Sequence, residues 1–190
     1  MVTRALPPNV VLRSCDKGDI QSLKQLNGLL LPIQYPESFY RDIIDDVVTN
    51  SITLVAVWHE EPNSIGKERG VVVGAIRCRL LAPQSLPSEQ LTQVDKGPVL
   101  YLSTLVLLSP YRGHGIASHM LARVLQLSIR EHGVTSIGAH VWEANPEGLE
   151  WYRKRGFREI SREEAYYRRL RPSGAVVMRK KVNVIDHLFG

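Results

Sequence analysis

The stretch from residue 99 to residue 142 limits the possible folds more than any other. An apolar, β-rich run at 99–108 ends in Ser-Pro-Tyr-Arg-Gly-His-Gly-Ile-Ala, residues 109–117, and a helical pattern starts inside that segment. Ile116, Met120, Leu121, Val124, Leu125 and Ile129 recur three and four positions apart, which places them on one helical face, and Gly133 marks its end. Ser136–Trp142 then alternates Ile137, Ala139 and Val141 against Gly138, His140 and Trp142, the period of a strand. Asn145-Pro146 reads as N-cap and first helical residue, Gly156 stops that helix, and residues 157–160 and 175–180 read as the last strands. Strand, glycine-rich loop, helix, strand, helix and strand in that order describe a mixed α/β domain.

The loop itself, Arg112-Gly113-His114-Gly115-Ile116-Ala117, has the chemistry of an anion site. Glycine lets the backbone approach a ligand closely and adopt positive φ. Successive N–H groups at a helix start point outward with the helix dipole behind them, which is a cradle for a pyrophosphate. The lysine of a Walker-A loop is missing, as is a GxGxxG dinucleotide fingerprint. A tight glycine turn with no ligand is the plain structural alternative.

The rest of the chain fits one domain over residues 1–190, long enough to bury a core without disulfide or metal. Residues 16–30 space Ile20, Leu23, Leu26 and Leu30 as a helix, and Pro32 breaks it. Pro36 opens a second helix with Phe39, Tyr40, Ile43, Ile44, Val47 and Val48 on a broad apolar face. Residues 52–58 and Val71–Leu81 read as strands joined by the polar loop 60–69, the first dozen residues as an arm or first strand, and residues 82–98 as a surface loop insertion. Cys15 and Cys78 stand alone, and the six His form no HxxxH or HExxH pair, so a reducing, cytoplasmic setting without a metal is expected. There is no apolar run long enough for a membrane span, and the N-terminus lacks a signal-peptide core. Charge is uneven: residues 153–181 hold eleven Lys/Arg against three Asp/Glu, the remainder thirteen against sixteen. Such a basic stretch suits RNA, a polyphosphate cofactor or an acidic partner, or is a solvated face.

The loop resembles the Gln/Arg-x-x-Gly-x-Gly/Ala acetyl-CoA signature of GNAT acetyltransferases, with Arg112, Gly115 and Ala117 at its fixed positions. YLSTLVLLSPYRGHGIASHML, HVWEANPEGLEWYRKRGF and YYRRLRP resemble protein N-alpha-acetyltransferases in order and spacing, and LPIQYPESFYRDI resembles the NatE-type branch, which acetylates an N-terminal Met followed by an apolar residue. The resemblance runs over roughly residues 20–180, with Leu31 where a Phe is expected. It implies a single GNAT domain, a mixed sheet flanked by helices and split to admit acetyl-CoA. Leu105, Val106 and Leu107 would offer backbone groups to the pantetheine. Arg112, Gly113, His114, Gly115, Ile116, Ala117 and Ser118 would hold the pyrophosphate, and Asn145 and Tyr152 would lie near the thioester. Implied partners are the N-terminal peptide, the NatA complex and the ribosome, with no membrane and no sequence-specific nucleic acid.

Acetyl transfer to an amine requires the amine to lose a proton, the carbonyl to be polarised and the thiolate to be accommodated. An α-amine has a pKa near 8, so a modest base suffices and no covalent intermediate is needed. Cys78 is therefore read as strand packing. His140 is the candidate base, its imidazole titrating near neutrality, although a lone His on a strand is often structural. The resemblance pairs Tyr101 with His140 around a water that takes the amine proton, and Tyr152 is a candidate donor to the departing sulfur. Leu31, Pro32, Ile33 and Tyr35 form an apolar, proline-stiffened turn suited to a Met side chain, and Tyr166 and Tyr167 are candidates for the peptide backbone. The turn carries no acid, and Glu37 is the nearest, which disfavours a lysine or polyamine substrate. A lysine acetyltransferase, a scaffold subunit with a decayed site and a ribosome-contacting module are the alternatives. The last lacks the aromatic-basic platform usual for RNA.

Overall fold

The computed structural model describes residues 4–82, 97–183 and 186. Seven strands form one sheet in the order β1-β2-β3-β4-β5-β7-β6. They are β1 (Val10–Ser14), β2 (Thr53–Trp58), β3 (Val71–Leu81), β4 (Val99–Leu107), β5 (Ser136–Trp142), β6 (Arg158–Glu163) and β7 (Ala175–Lys181). The helices are α1 (Ile20–Leu30), α2 (Glu37–Asp45), α3 (Val47–Ser51), α4 (Ile116–His132) and α5 (Pro146–Arg153). Every neighbouring pair of strands is antiparallel except β4 and β5, which run parallel. A parallel pair needs a crossover, and α4 supplies it.

Two apolar layers enclose the sheet. On one face Leu23, Leu26, Phe39, Tyr40 and Ile43 of α1 and α2 pack on Val55, Val57, Ala75 and Val106. On the other, Ile116, Met120, Val124, Leu149 and Tyr152 of α4 and α5 pack on Leu54, Ile76, Leu100, Ile137 and Met178. Cys15 and Cys78 are free thiols buried in these layers. Among the described residues no helix is long and apolar enough to cross a membrane, and no group of three or more His, Cys, Asp or Glu is placed to hold a metal ion.

One pairing decides where a ligand can enter. β4 and β5 meet only at Val99, Leu100 and Tyr101, opposite Ser136, Ile137 and Gly138. Beyond Tyr101 they part. Arg77 pairs with Thr104 but Cys78 with Leu102, so Ser103 is an extra residue on β4. A bulge of this kind bends its strand and reverses which face the following side chains take. Leu102 joins the α4 layer and Val106 the α1–α2 layer.

The structure departs from the expected elements at three places. The second helix is two: the Asp46 side chain accepts from the Thr49 N–H at 2.9 Å and starts α3 afresh. Val47 and Val48 are consequently exposed rather than on the apolar face. Pro36 is the N-cap of α2 rather than its first residue. The strand expected at 157–160 is β6, Arg158–Glu163, with a largely exposed edge whose charged side chains gave no apolar period. Of the 82–98 loop, residues 83–96 lie outside the described residues.

Candidate active site

Where β4 and β5 part, a cleft of about 730 Å³ opens. One end is lined by Arg112, Gly113, Gly115, Ile116, Ala117 and Ser118, the other by Leu31, Pro32, Ile33 and Tyr35. Its walls include Leu105 and Leu107 of β4, His140 and Trp142 of β5, and Asn145 and Tyr152 of α5.

The glycine loop fits a pyrophosphate. Gly113 and Gly115 take φ of 79° and 83°, and Gly115 begins α4 with no side-chain cap. The N–H groups of Gly113, His114 and Gly115 donate to no other group among the described residues. Uncapped amides at the start of a long helix suit an anion. Arg112 Nε donates to the Leu107 carbonyl at 3.1 Å, which fastens the loop to the strand end. Arg155 donates to Ser118 Oγ from both Nε and Nη2, at 3.1 and 2.5 Å, and stacks on Trp151. Arg4 reaches the loop from the N-terminal side: its Nη1 donates to the Gly113 carbonyl at 3.2 Å, and its own carbonyl lies 2.6 Å from His119 Nε2.

At the point where the strands part, four polar side chains meet. The Tyr101 hydroxyl lies 3.1 Å from His140 Nδ1 and 2.9 Å from the Tyr166 hydroxyl, and His140 Nε2 lies 2.9 Å from Glu163 Oε1. The Tyr166 ring stacks on the imidazole with centroids 4.2 Å apart, and the Tyr167 hydroxyl donates to the His140 carbonyl at 3.1 Å. Burial, followed by the neighbouring Tyr166, pushes the Tyr101 phenol far above its ordinary value, so Tyr101 works as a neutral hydroxyl. Burial does the same to Tyr152 and Tyr167 and to the Cys78 thiol, which rules Cys78 out as a thiolate nucleophile at neutral pH. Tyr152 packs edge-on against Trp151 and Phe157.

At the other end, Tyr35 stacks on Phe39 and donates from its hydroxyl to the carbonyl of Ser103 at 3.2 Å. Burial raises this phenol to about 12. The bond ties the apolar turn to the bulge of β4. Glu37, the acid closest to the turn in sequence, is 2.6 Å from Lys24 and so already carries a counter-charge.

Residues 20–157, most of the chain, match the acetyltransferase (GNAT) family. The chain belongs to that family. Among relatives of this GNAT protein, the probable N-acetyltransferase san of Drosophila melanogaster is 29% identical over 162 residues, 85% of this chain and 75% of that protein. N-alpha-acetyltransferase 50 of Danio rerio is 29% identical over 164 residues, 86% and 83% of the two chains. The structure of Arabidopsis thaliana Naa50 in complex with the bisubstrate analogue CoA-Ac-MVNAL superposes with a TM-score of 0.72 at 28% identity, covering 92% of this chain and 99% of that one.

The GNAT cleft gathers most of the residues singled out in the sequence, but Tyr101, Val106, His114 and Tyr166 do not line it; Tyr101 and Tyr166 instead meet His140, which does. The Val106 side chain turns into the α1–α2 layer and does not line the cleft, because the Ser103 bulge reverses the alternation. His114 is exposed at the outer edge of the loop and does not line it either. Asn145 does line the cleft: its side-chain Oδ1 caps α5 by accepting from the Gly148 N–H at 2.9 Å, which leaves the side-chain NH2 for the cleft. Three residues at the site had no signal in the sequence: Arg4 and Glu163 are distant in sequence from the groups they touch, and Arg155 looked like one of many basic residues.

Proposed function

We propose that this GNAT protein transfers the acetyl group of acetyl-CoA to the α-amine of peptides beginning with Met and an apolar residue, by direct attack within a ternary complex. The observation that carries this reading is the continuity of the cleft: the glycine loop and the apolar turn open into one space, and His140 stands between them. Acetyl-CoA supplies an activated acyl group as a thioester. Gly113, Gly115, Ile116 and Ser118 receive its pyrophosphate, with Arg112 and Arg155 bracing the loop, and the strand edge of Leu105 to Leu107 faces the pantetheine. Tyr101 and His140 take the proton of the amine, directly or through a water, and Tyr152 stands as donor to the sulfur. Leu31, Pro32, Ile33 and Tyr35 enclose the Met side chain. Tyr166 and Tyr167 border the peptide entrance.

The same intact pair of Tyr101 and His140 argues against a scaffold with a decayed site. The lack of an unpaired acid in the turn argues against a lysine substrate. Exposed Arg168, Arg169 and Arg171, with buried free thiols, support work in the cytosol against an acidic surface such as the ribosome or the NatA complex. The test is acetylation of Met-Leu, Ser-Glu and internal-lysine peptides at equal concentration. Burying a Met side chain is worth about 1.5–3 kcal/mol. That corresponds to roughly 10- to 100-fold preference for Met-Leu over Ser-Glu. Faster acetylation of either competitor overturns the reading.

A further inference from the structure

Glu163 contributes to the site from two strands away. In the ladders His140 pairs with Val177, and Val177 with Ser161; Trp142 pairs with Ala175, and Ala175 with Glu163. Side chains directly across a ladder share a face, so His140 and Glu163 lie on one face, offset diagonally across β7. The short Ala175 side chain leaves room for the carboxylate to cross, and it ends 2.9 Å from His140 Nε2. Basic residues abound nearby, yet among the described residues Glu163 pairs only with His140, while Arg162 and Arg153 turn to Glu159.

A carboxylate can only accept, so the imidazole must carry its proton on Nε2, and a neutral imidazole then has its lone pair on Nδ1. That lone pair is 3.1 Å from the Tyr101 hydroxyl, which donates to it, and the Tyr101 oxygen in turn accepts from Tyr166. We propose that Glu163 is a positioning residue that holds His140 as the Nε2–H tautomer and so makes Nδ1 the proton acceptor of the transfer reaction. The inference rests on the acetyl-transfer reading above. In the step, the peptide ammonium gives one proton to the Tyr101 oxygen as the Tyr101 proton passes to His140 Nδ1. The phenol ends as a phenol, the amine lone pair is freed for the thioester carbonyl, and the imidazolium formed rests against the Glu163 carboxylate. No phenolate is needed, which accords with a phenol that burial keeps protonated.

Two variants separate orientation from charge. Glu163→Ala removes both. Glu163→Gln keeps an oxygen that accepts from Nε2–H and loses only the charge. Losing a group that orients a working imidazole typically costs about 10- to 100-fold. The expected result is that drop in kcat for Glu163→Ala and a smaller one for Glu163→Gln, with KM for peptide and acetyl-CoA within about twofold of wild type. Calorimetric acetyl-CoA affinity confirms that each variant is folded. A kcat for Glu163→Ala within twofold of wild type, or a fall in stability with kcat unchanged in the folded fraction, overturns the proposal. Imidazole nitrogen NMR of the labelled wild type gives an independent answer: protonation of His140 on Nε2 at neutral pH is expected, and protonation on Nδ1 overturns it. A wild type inert towards every N-terminal peptide would sink the acetyl-transfer reading, and the tautomer measurement would still decide the role of Glu163.

Discussion

At the scale of single residues, Gly115 decides whether the loop can hold a phosphate. A Cβ there would meet nothing closer than the Arg4 carbonyl oxygen at 3.5 Å, an ordinary contact, so space is not what demands glycine. The backbone is: φ of 83° lies in the left-handed region, where an L side chain costs roughly 1–2 kcal/mol. Gly115→Ala is expected to weaken acetyl-CoA binding about tenfold, since 1.4 kcal/mol is one decade. Titration calorimetry reads this directly, and unchanged affinity would place the pyrophosphate elsewhere. His140 and the glycine loop were legible in the sequence because each lies in or beside one strand whose pattern is plain, whereas Tyr101 was reached only through the resemblance to N-alpha-acetyltransferases. Glu163 was not legible, since its contact depends on the register of three strands and on a small residue in the middle one.

At the scale of elements, the connection between β1 and α1 is held by charge. Asp19 is fully buried, caps the backbone of Asp16, and accepts from Arg13 and Arg69. Burial alone would raise its carboxyl, but the bonds from Arg13, the Asp16 N–H and Arg69 outweigh it and hold the group below its usual range. A depressed folded-state pKa stabilises the protein above the unfolded value and loses that contribution as pH falls through the folded one. Stability should therefore drop below about pH 4, the ordinary Asp value. Asp19→Asn should cost about 1.5–3 kcal/mol at pH 7, the worth of hydrogen bonds to a charged group, and flatten the acid limb of the denaturation curve. An unaltered acid limb would show that other carboxylates govern it. Element types could be read where the apolar period was strong, as in α4 and β5. They could not be read where a polar cap overrides the period, as Asp46 does between α2 and α3, or where an edge strand carries charges, as β6 does.

At the scale of the whole molecule, the sheet is paired across all seven strands except where β4 and β5 separate. Beyond Tyr101 the facing edges have no strand partner, so their amides exchange with solvent until a ligand occupies the gap. Acetyl-CoA is expected to slow hydrogen exchange in the outer parts of β4 and β5, with little effect on β2. At one hundred times Kd it should add about 2.7 kcal/mol to stability. Equal slowing in every strand would mean a global effect and no wedge. The strand order has a further consequence, for synthesis rather than catalysis. β7 comes last in sequence among the strands, yet it lies between β5 and β6. A growing chain emerging up to residue 163 already contains both His140 and Glu163 but lacks the strand that sets one against the other. Chains are made at roughly 5–20 residues per second. Until residue 181 follows, β6 has no neighbour to pair with, and His140 and Glu163 have no strand to bring them together.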